Sequence, residues 1–479
     1  MEFETVIGLE VHAELSTESK AYCGCANKFG SEVNTFCCPV CLAMPGTLPA
    51  LNEKVVEYAV KMGLALNCKI NTISKQDRKN YFYPDLVKGY QISQFDIPIC
   101  QDGYLDIVVG GESRRIGVTR LHIEEDTGKL IHDSAFAGTL IDFNRCGVPL
   151  IEIVSEPDLR SAAEAKAYLE TIRSFLIFLG ISDAKMQEGS IRCDVNVSVR
   201  EKGADKLGVR CEMKNVSSFS GAVKAIEYES NRHKSILMSG GTVSQETRKW
   251  DESSGTTILM RSKENALDYR YFPEPDLKTL VVPQELIDRL KSQIPEMPNQ
   301  KAKRYISEYN LGQADAELIA YNTDRAALFE DTLSLRKLSP KSVCNWILTD
   351  ITRKTNEKGC SAAELGITPA ILAEITDLVD SRRISNTSGR IVLEEIIASG
   401  GKANAEDIIK EKGLEQISDQ SALAAIVDRV LGENQKSVDD YNAGKTNALG
   451  FLIGQCMKMS KGQGNPSLMK EMVLAKIVG

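Results

Sequence analysis

Several features that would assign this 479-residue chain to a common class are missing from its sequence. No apolar run approaches the roughly 20 residues that a membrane span requires, so we expect no membrane association. The first ten residues are acidic and run directly into strand-like sequence, which is not typical of a signal or transit peptide and favours a cytoplasmic location. No low-complexity tract is present in the sequence either.

The sequence also does not indicate a general nucleic-acid-binding surface or a P-loop for nucleotide binding. The formal net charge is −8, whereas a general nucleic-acid-binding surface depends on neutralising phosphates. The nearest approach to a P-loop, Gly444-Lys445-Thr446, has Asp439 where the first glycine of that motif belongs. Any RNA contact should therefore be local, and any ATP site must have another architecture.

The patterning along the chain predicts an α+β protein with three domains. Over 1–293, short alternating segments are broken by Gly, Pro, Asn and Asp, which indicates a large domain built mainly of antiparallel sheet. Helical periodicity follows the break at Ile294-Pro295-Glu296-Met297-Pro298 and predicts a helical domain over 294–400. A second break at Ser399-Gly400-Gly401 predicts a small helical tail domain over 401–479.

Thirteen cysteines are present, and four of them form two close pairs, Cys23-Gly24-Cys25 and Cys38-Pro39-Val40-Cys41. Two tight turns that each direct two sulfurs at one point provide the tetrahedral ligands of a closed, structural zinc site. Unpaired cysteines of a reducing compartment are the alternative. Cys37 is adjacent to Cys38 and competes with it as the fourth ligand.

The opening strand-like segment places Glu10 and His12 on one face, behind Gly8. A carboxylate and an imidazole in this arrangement can bind a divalent ion or move a proton. A strand edge that shows polar groups to water is the ordinary alternative.

A second alternating pattern runs from Arg192 to Val199 and resumes from Val209 to Lys214, which predicts a hairpin with one charged face. That face consists of Arg192, Asp194, Asn196, Ser198, Arg210, Glu212 and Lys214. It either forms solvated cross-strand ion pairs or binds Mg²⁺ through its carboxylates and phosphates through its cations.

Seven strings, in this order, resemble the B-subunit family of the glutamyl/aspartyl-tRNA amidotransferases over nearly the whole chain. They are Val6-Ile7-Gly8-Leu9-Glu10-Val11-His12, Arg78-Lys79-Asn80-Tyr81-Phe82-Tyr83-Pro84-Asp85, Tyr90-Gln91-Ile92-Ser93-Gln94, Asn144-Arg145-Cys146-Gly147-Val148-Pro149-Leu150, Asp194-Val195-Asn196-Val197-Ser198, Glu212-Met213-Lys214-Asn215 and Arg270-Tyr271-Phe272-Pro273-Glu274-Pro275-Asp276. The resemblance implies a cradle-shaped kinase/transamidase domain, a helical domain and a YqeY-like tail domain that contacts tRNA.

The resemblance also implies an activity. In this family the B subunit uses ATP and Mg²⁺ to phosphorylate the side-chain carboxylate of Glu-tRNA(Gln) or Asp-tRNA(Asn), and ammonia then displaces the phosphate. We find no glutaminase signature in the chain, so ammonia should come from an amidase-type A subunit, which a small C subunit steadies in a heterotrimer. Which of the two misacylated tRNAs is the substrate stays open at this point.

Site residues are carried over from the resemblance position by position. It implies catalytic roles for Glu10, His12, Lys79, Glu125, Asp194 and Glu212, and nucleotide contacts for Lys214, Asn196 and Arg192. Mg²⁺ would be held by Glu10, His12, Glu125 and Glu212, although His12 can equally be a base or a neighbour of the ligands, because Mg²⁺ prefers oxygen. Zinc would be held by Cys23, Cys25, Cys38 and Cys41.

The end of the chain is locally basic. Residues 441–479 contain five lysines against one acid, and the resemblance implies that Lys445, Lys458 and Lys461 contact tRNA phosphates. A solvated helix face is the simpler explanation.

Two other functions remain open from the sequence. A non-catalytic, zinc-containing tRNA-binding scaffold would use the charged hairpin to grip RNA, and an independent ATP-grasp-like ligase would act on a small carboxylate. ATP hydrolysis stimulated by misacylated tRNA separates the first from the amidotransferase, and co-purifying subunits separate the second.

Overall fold

The computed structural model describes residues 2–132, 137–262, 268–416, 420–460 and 464–478. The chain divides into two compact units, Met1–Gln300 and Lys301–Gly479. The first unit is rich in sheet and the second is helical, which confirms the predicted α+β class. The finer division into domains of 1–293, 294–400 and 401–479 stays a prediction.

A nine-stranded sheet forms the centre of the first unit, in the order β14-β13-β12-β11-β1-β10-β7-β6-β2. Neighbouring strands are antiparallel, except for the parallel pair β12 and β13. The strands are β1 (Phe3–Glu14), β2 (Lys69–Ile70), β6 (Cys100–Val109), β7 (Glu112–Glu125), β10 (Pro149–Ser155), β11 (Ile191–Glu201), β12 (Cys211–Val216), β13 (Glu246–Asp251) and β14 (Thr256–Ser262).

Smaller sheets accompany the central one. The first has the order β15-β4-β5, the second pairs β16 with β3, and the third is the hairpin of β8 and β9. Their strands are β3 (Ile73–Ser74), β4 (Asp77–Asn80), β5 (Tyr90–Ser93), β8 (Lys129–His132), β9 (Thr139–Asp142), β15 (Phe272–Pro273) and β16 (Leu280–Val281).

Helices α1 (Glu53–Ala65), α2 (Ala162–Phe178), α3 (Phe219–Met238) and α4 (Gln284–Ser292) belong to the first unit. The first three begin after Asn52, Ser161 and Ser218, whose side chains accept a hydrogen bond from a backbone N–H of the first turn. Their apolar residues pack with alternate residues of the central strands, such as Leu9 and Val11, in one hydrophobic core.

The second unit contains two hydrophobic clusters, one built from residues between 302 and 409 and the other from residues between 423 and 473. Its helices are α5 (Pro298–Tyr309, beginning at the end of the first unit), α6 (Gln313–Ala320), α7 (Thr323–Leu335), α8 (Pro340–Trp346), α9 (Thr352–Lys358), α10 (Pro369–Asp380), α11 (Asn386–Ala398), α12 (Ala405–Lys412), α13 (Gln420–Glu433), α14 (Gln435–Asn442), α15 (Asn447–Met459) and α16 (Pro466–Val478). No helix among the described residues is apolar over enough of its length to span a membrane.

The predicted charged hairpin is confirmed. Strands β11 and β12 pair antiparallel, with Asn196 opposite Glu212. Along β11, Cys193, Val195 and Val197 are buried, whereas Asp194 and Asn196 are partly exposed.

Glu229 of α3 joins that helix to the edge of the sheet. Its fully buried carboxylate lies 2.8 Å from the Arg232 guanidinium and 3.3 Å from that of Arg248, and it accepts a hydrogen bond from Thr257. Burial alone would raise the pKa of Glu229, but hydrogen bonds from His233, Arg232 and Thr257 outweigh it and lower the pKa to about 2. Because the folded-state pKa is below the ordinary 4.5, the carboxylate stabilises the fold above pH 4.5 and loses this effect as the pH falls towards 2.

We predict that Glu229→Gln lowers the free energy of unfolding at pH 7 by about 3 to 5 kcal/mol, because it leaves the partly buried guanidinium groups of Arg232 and Arg248 without their carboxylate. This loss is measured from the urea-induced unfolding transition of the first unit at several pH values. The difference from the unmodified protein should be largest above pH 4.5 and shrink at lower pH. Glu170→Gln, on the surface of α2, is the matched control and should change stability little. An equal loss at pH 7 and pH 3.5 would contradict the assignment.

Candidate active site

Strand β1 supplies the first two residues of a polar cluster on the sheet face opposite the helices. Leu9, Val11 and Ala13 are buried in the core, so the alternating side chains of Glu10 and His12 lie on the other face. Both neighbouring strands add to them through their pairing register. Asp194 of β11 is opposite Glu10, and Glu152 of β10 is opposite His12.

The same cross-strand pairing extends the cluster in both directions. His122 of β7 is opposite Glu152, and Glu212 of β12 is opposite Asn196. Thr247 of β13 is in turn opposite Glu212. Residues far apart in the sequence therefore form one polar row across six neighbouring strands.

This row faces a cavity of about 310 Å³, which we call the charged cavity. Carboxylates and cations are both present in its lining. The lining residues are Glu10, His12, Lys79, Arg120, His122, Glu152, Asp194, Arg210, Glu212, Lys214, Gln245, Glu246, Thr247, Arg261, Tyr269 and Tyr271. The structure thus brings together five of the six predicted catalytic residues and the predicted nucleotide contact Lys214.

Negative charge is concentrated at Glu10. The Asn196 side-chain amide donates to its carboxylate over 2.9 Å. Burial, followed by repulsion from Glu152 and Asp194, raises the pKa of Glu10 above its ordinary value. A cation beside Glu10 would offset this repulsion, and carboxylate oxygen is the donor that Mg²⁺ prefers.

Four buried or half-buried groups at one end of the row form a tight ionic cluster. The Glu152 carboxylate lies 3.3 Å from Nε2 of His12 and 3.4 Å from Nε2 of His122, and His122 lies 3.3 Å from Glu124. Burial alone would lower the pKa of His122, but attraction to Glu152 and a hydrogen bond with Glu124 raise it to about 9. Glu152 acts on the pKa of His12 in the same direction. Contact with Glu152 therefore favours the protonated form of both imidazoles.

Lysines bridge the carboxylates on two sides of the cavity. Lys79 of β4 lies 3.4 Å from Glu124. Lys214 lies 2.7 Å from Asp194 and 3.1 Å from Glu212, while the Thr247 hydroxyl donates to Glu212 over 2.8 Å. These contacts fix the carboxylates, but leave the lysine charges next to the open volume.

Two arginines of the lining have no acidic partner in the part of the chain that the structure describes. Arg120 and Arg210 form no ion pair with any residue that the structure describes, and the Nε of Arg120 is buried without a hydrogen-bond partner there. Arg261 approaches Glu212 only to 3.9 Å. Unpaired guanidinium groups in a cavity are suited to the oxygens of phosphate groups.

A second cavity, of about 650 Å³, shares Glu10, Arg210 and Gln245 with the charged one. Its other walls are mostly apolar and include Val6, Gly8, Leu207, Val209 and Val243, with Ser155 and Asn196 as polar groups. We call it the apolar cavity. Its volume is sufficient for a nucleoside.

The structure does not bring Glu125 and Arg192 into the charged cavity. Glu125 accepts a hydrogen bond from the Ile92 backbone N–H over 3.0 Å, forms an ion pair with Lys88, and lines a separate cavity beside the cysteine loop. Arg192 lies 2.6 Å from Asp126. Asn196 contacts the site through Glu10 and lines the apolar cavity.

The site residues carried over from the resemblance do not include Glu152, His122, Glu124 and Arg120. The alternating pattern along β7 could have indicated three of them. Arg120, His122 and Glu124 alternate with the core residues Leu121 and Ile123, so they lie on the opposite face of the strand. Glu125 ends the strand, and Glu124 is the residue that joins the cluster. Glu152 is preceded and followed by Ile151 and Ile153, so it resembles a lone acid within an apolar strand.

The four predicted cysteine ligands converge on one point. Sγ atoms of Cys23, Cys25, Cys38 and Cys41 all lie within 4.8 Å of one another, and those of Cys25 and Cys41 are 4.0 Å apart. Tetrahedral zinc with Zn–S bonds of about 2.3 Å requires sulfurs roughly 3.8 Å apart. A hydrogen bond from the Cys23 thiol is the main cause that lowers the pKa of Cys41 to about 4.

Cys37 is directed away from this cluster, because its Sγ lies 3.8 Å from Oδ1 of Asn144. The adjacent Cys38 belongs to the cluster instead, and its backbone N–H donates to the Sγ of Cys41 over 3.1 Å. Fully buried Lys20 lies beneath the loop, where its Nζ is 3.8 Å from the Sγ of Cys41 and 2.8 Å from the Phe36 carbonyl.

Of the three lysines expected to contact tRNA, Lys445 and Lys458 are described. Lys445 precedes α15 and forms an ion pair of 2.9 Å with Asp440, and Lys458 lies in the last turn of that helix. Lys461 lies outside the described residues.

We predict that Glu152→Gln lowers the pKa of His122 from about 9 towards the ordinary value of about 6.5, because burial then acts with less opposition. The chain has four histidines, so NMR titration of the imidazole signals can resolve them. His132, which is exposed on the hairpin of β8 and β9, is the internal control, and its imidazole signals should be unaffected by the substitution. An unchanged titration of His122 would show that Glu152 does not hold its proton.

Comparison with known proteins assigns the chain to a family. The model of the GatB/GatE catalytic domain matches residues 5–288, and that of the GatB domain matches residues 327–477. The chain is 52% identical over 476 residues to the B subunit of the aspartyl/glutamyl-tRNA(Asn/Gln) amidotransferase from Caldicellulosiruptor saccharolyticus, covering 99% of this chain and 98% of the relative. The proteins of the same name from Thermoanaerobacter sp. strain X514 and Clostridium botulinum strain Loch Maree are 51% and 49% identical, over 99% of this chain and 99% and 98% of the relatives. The chain therefore belongs to the family of B subunits of the aspartyl/glutamyl-tRNA(Asn/Gln) amidotransferases.

Proposed function

We propose that this chain is the subunit of a tRNA-dependent amidotransferase that activates and amidates the misacylated amino acid. The γ-phosphoryl group of ATP is transferred to the side-chain carboxylate of Glu-tRNA(Gln) or Asp-tRNA(Asn), giving ADP and an acyl phosphate. Ammonia then attacks the acyl carbon, phosphate leaves, and the amide forms. The observation that carries this proposal is the charged cavity, where carboxylates that can bind a metal ion lie beside Arg120 and Arg210, which have no acidic partner among the described residues.

The carboxylates Glu10, Asp194 and Glu212 fit a Mg²⁺ ion, because they provide oxygen donors on adjoining strands and the pKa of Glu10 is raised mainly by burial, then by neighbouring acids. When bound, Mg²⁺ would offset the charge of the phosphate oxygens. His12 is held by Glu152, so we assign it to positioning beside the carboxylates and not to direct ligation. Glu125 has its own partners, Lys88 and Ile92, and we leave it outside this ligand set.

The cations of the cavity would act on the phosphoryl group. Arg120 and Arg210 are available to bind phosphate oxygens, while Lys79 and Lys214 remain oriented by Glu124 and Asp194. Fixed donors of this kind stabilise charge on a transferring phosphoryl group without reorganisation during the reaction. We assign the adenosine of ATP to the apolar cavity, since it shares Glu10, Arg210 and Gln245 with the charged one.

The remaining parts of the proposal concern partners and the other sites. Ammonia would be supplied by an amidase-type A subunit, accompanied by a small C subunit, in the cytoplasm. Zinc would hold the loop of Cys23, Cys25, Cys38 and Cys41 as a structural ion. Lys445, Lys458 and Lys461 would bind phosphates of tRNA.

We predict that Glu10→Gln and Glu212→Gln each reduce tRNA-stimulated ATP consumption and amide formation by at least about 100-fold, because each removes a charge that orients the phosphoryl group. Rates are measured in the assembled complex, with saturating ATP and an ammonium salt in place of glutamine. Affinity for misacylated tRNA and the glutaminase of the partner subunit should stay unchanged. Glu2→Gln is the control, because Glu2 pairs with Lys202 on the surface just before β1. Near-normal amide formation in either variant would remove that residue from the site.

We predict that each chain binds one zinc ion. The Cys38→Ser variant should lose this ion. The Cys37→Ser variant should keep it, because the Cys37 side chain lies against Asn144. Elemental analysis of protein purified without chelator measures the metal. Loss of zinc should lower the thermal stability of the first unit, because metal binding stabilises the fold that provides the ligands. Zinc retained by Cys38→Ser, or lost in Cys37→Ser, would contradict this ligand set.

A further inference from the structure

Exposed aromatic side chains are concentrated on two segments of the first unit, one after the cavity residue Lys79 and the other after the cavity residue Tyr271. Six are largely exposed in the part of the chain that the structure describes, and four of these, Phe82, Tyr83, Phe95 and Phe272, lie on residues 82–95 and the segment around β15. Phe82 is 81% exposed and Phe95 is 51% exposed. Apolar side chains that cluster on a surface in this way indicate a binding site.

Four rings of these segments form a connected series, which we call the aromatic row. Phe95 stacks on Tyr271, with ring centroids 4.3 Å apart and planes 9° apart. Tyr271 meets Tyr269 edge to face at 6.1 Å, and Tyr269 meets Tyr81 at 6.0 Å. Because Tyr269 and Tyr271 line the charged cavity and Phe95 is half exposed, the row leads from solvent to the cavity wall.

Positive charge accompanies the row. The Nζ of Lys79 lies 5.3 Å from the Tyr269 ring centroid. Arg270, between the two tyrosines, is exposed and forms no ion pair with any described residue. Of the nearby acids, Asp96 is paired with Lys75 and Asp276 with Arg78. The surface therefore combines π faces with two cations, of which Lys79 is paired with Glu124 and Arg270 has no ion pair among the described residues.

We infer that the aromatic row binds the unpaired 3′ end of the aminoacylated RNA substrate, with successive bases stacked on its rings and the aminoacyl group in the charged cavity. This inference rests on the proposed function. Unpaired bases stack on aromatic side chains, while cations track the phosphates of the strand. A series of rings suits several bases, whereas a single nucleotide such as ATP needs one. The apolar cavity on the other side of Glu10 is available for the base of ATP.

Phe95→Leu in the assembled complex tests the inference, because it keeps an apolar side chain and removes the π face. Binding is measured without ATP to an acceptor-stem RNA hairpin, either with its unpaired 3′ nucleotides or blunt. We expect affinity for the tailed hairpin to fall about fivefold to tenfold, within the range for loss of one stacked base, with affinity for the blunt hairpin unchanged. Phe95→Tyr should retain binding. Phe29→Leu is the matched control, since Phe29 is 72% exposed but lies on the cysteine loop.

Three results would overturn the inference. The first is an unchanged difference between tailed and blunt hairpins in Phe95→Leu. The second is a raised KM for ATP with unaltered RNA binding, which would assign the row to the nucleotide base. The third is loss of another subunit on purification of Phe95→Leu, which would make the row a protein-docking surface. Failure of the proposed function is a separate result, namely no ATP-dependent amide formation by the unmodified complex.

Discussion

Strict alternation along β1 from Ile7 to Glu14 is the constraint on which the rest of the first unit depends. Ile7, Leu9, Val11 and Ala13 must face the helices, because they form part of the core. A slip of one residue in the register would exchange both faces and place Glu10 and His12 in that core. The large cost of burying those unpaired charges therefore fixes the register, and the register in turn aligns the polar row. Stability and site geometry follow from the same pairing.

Charge balance explains how so many ionisable groups remain on one half-covered face. His122, Glu124 and Glu152 are nearly inaccessible to solvent, yet each contacts a partner of opposite charge. These groups neutralise one another's charge through their ion pairs, so they form a rigid support for the site. Elsewhere in the lining of the charged cavity, Glu10 is under repulsion, and Arg120 and Arg210 lack acidic partners among the described residues. These unbalanced groups form the part of the cavity suited to ligands from outside the chain.

Much of the fold and of the charged cavity could be predicted from the sequence, because local patterns such as strand alternation are visible in a sequence. Alternation gave the faces of β11 and β12, and the strings of the family gave Glu10, His12, Lys79 and Glu212. Pairing between distant strands has no local signal, so Glu152 opposite His12 could not be found. Adjacent acids were a further difficulty. Glu124 and Glu125 point to opposite faces of β7, and only the face of the strand determines which of them joins the cluster. Similarly, the contact of Cys37 with Asn144, 107 residues away, separates it from Cys38.

The position of β1 has a consequence for biosynthesis. The first strand of the chain lies in the middle of the sheet, where its partners are β10 and β11, and Phe3 is opposite Glu201. At about 5 to 20 residues per second, a ribosome needs about 10 to 40 s to make the roughly 200 residues that complete this pairing. Until β10 and then β11 have been made, the N-terminal strand exposes an apolar face and unpaired edges. Nascent chains of this protein are therefore expected to depend on chaperones, and the early strand is the segment that they would protect.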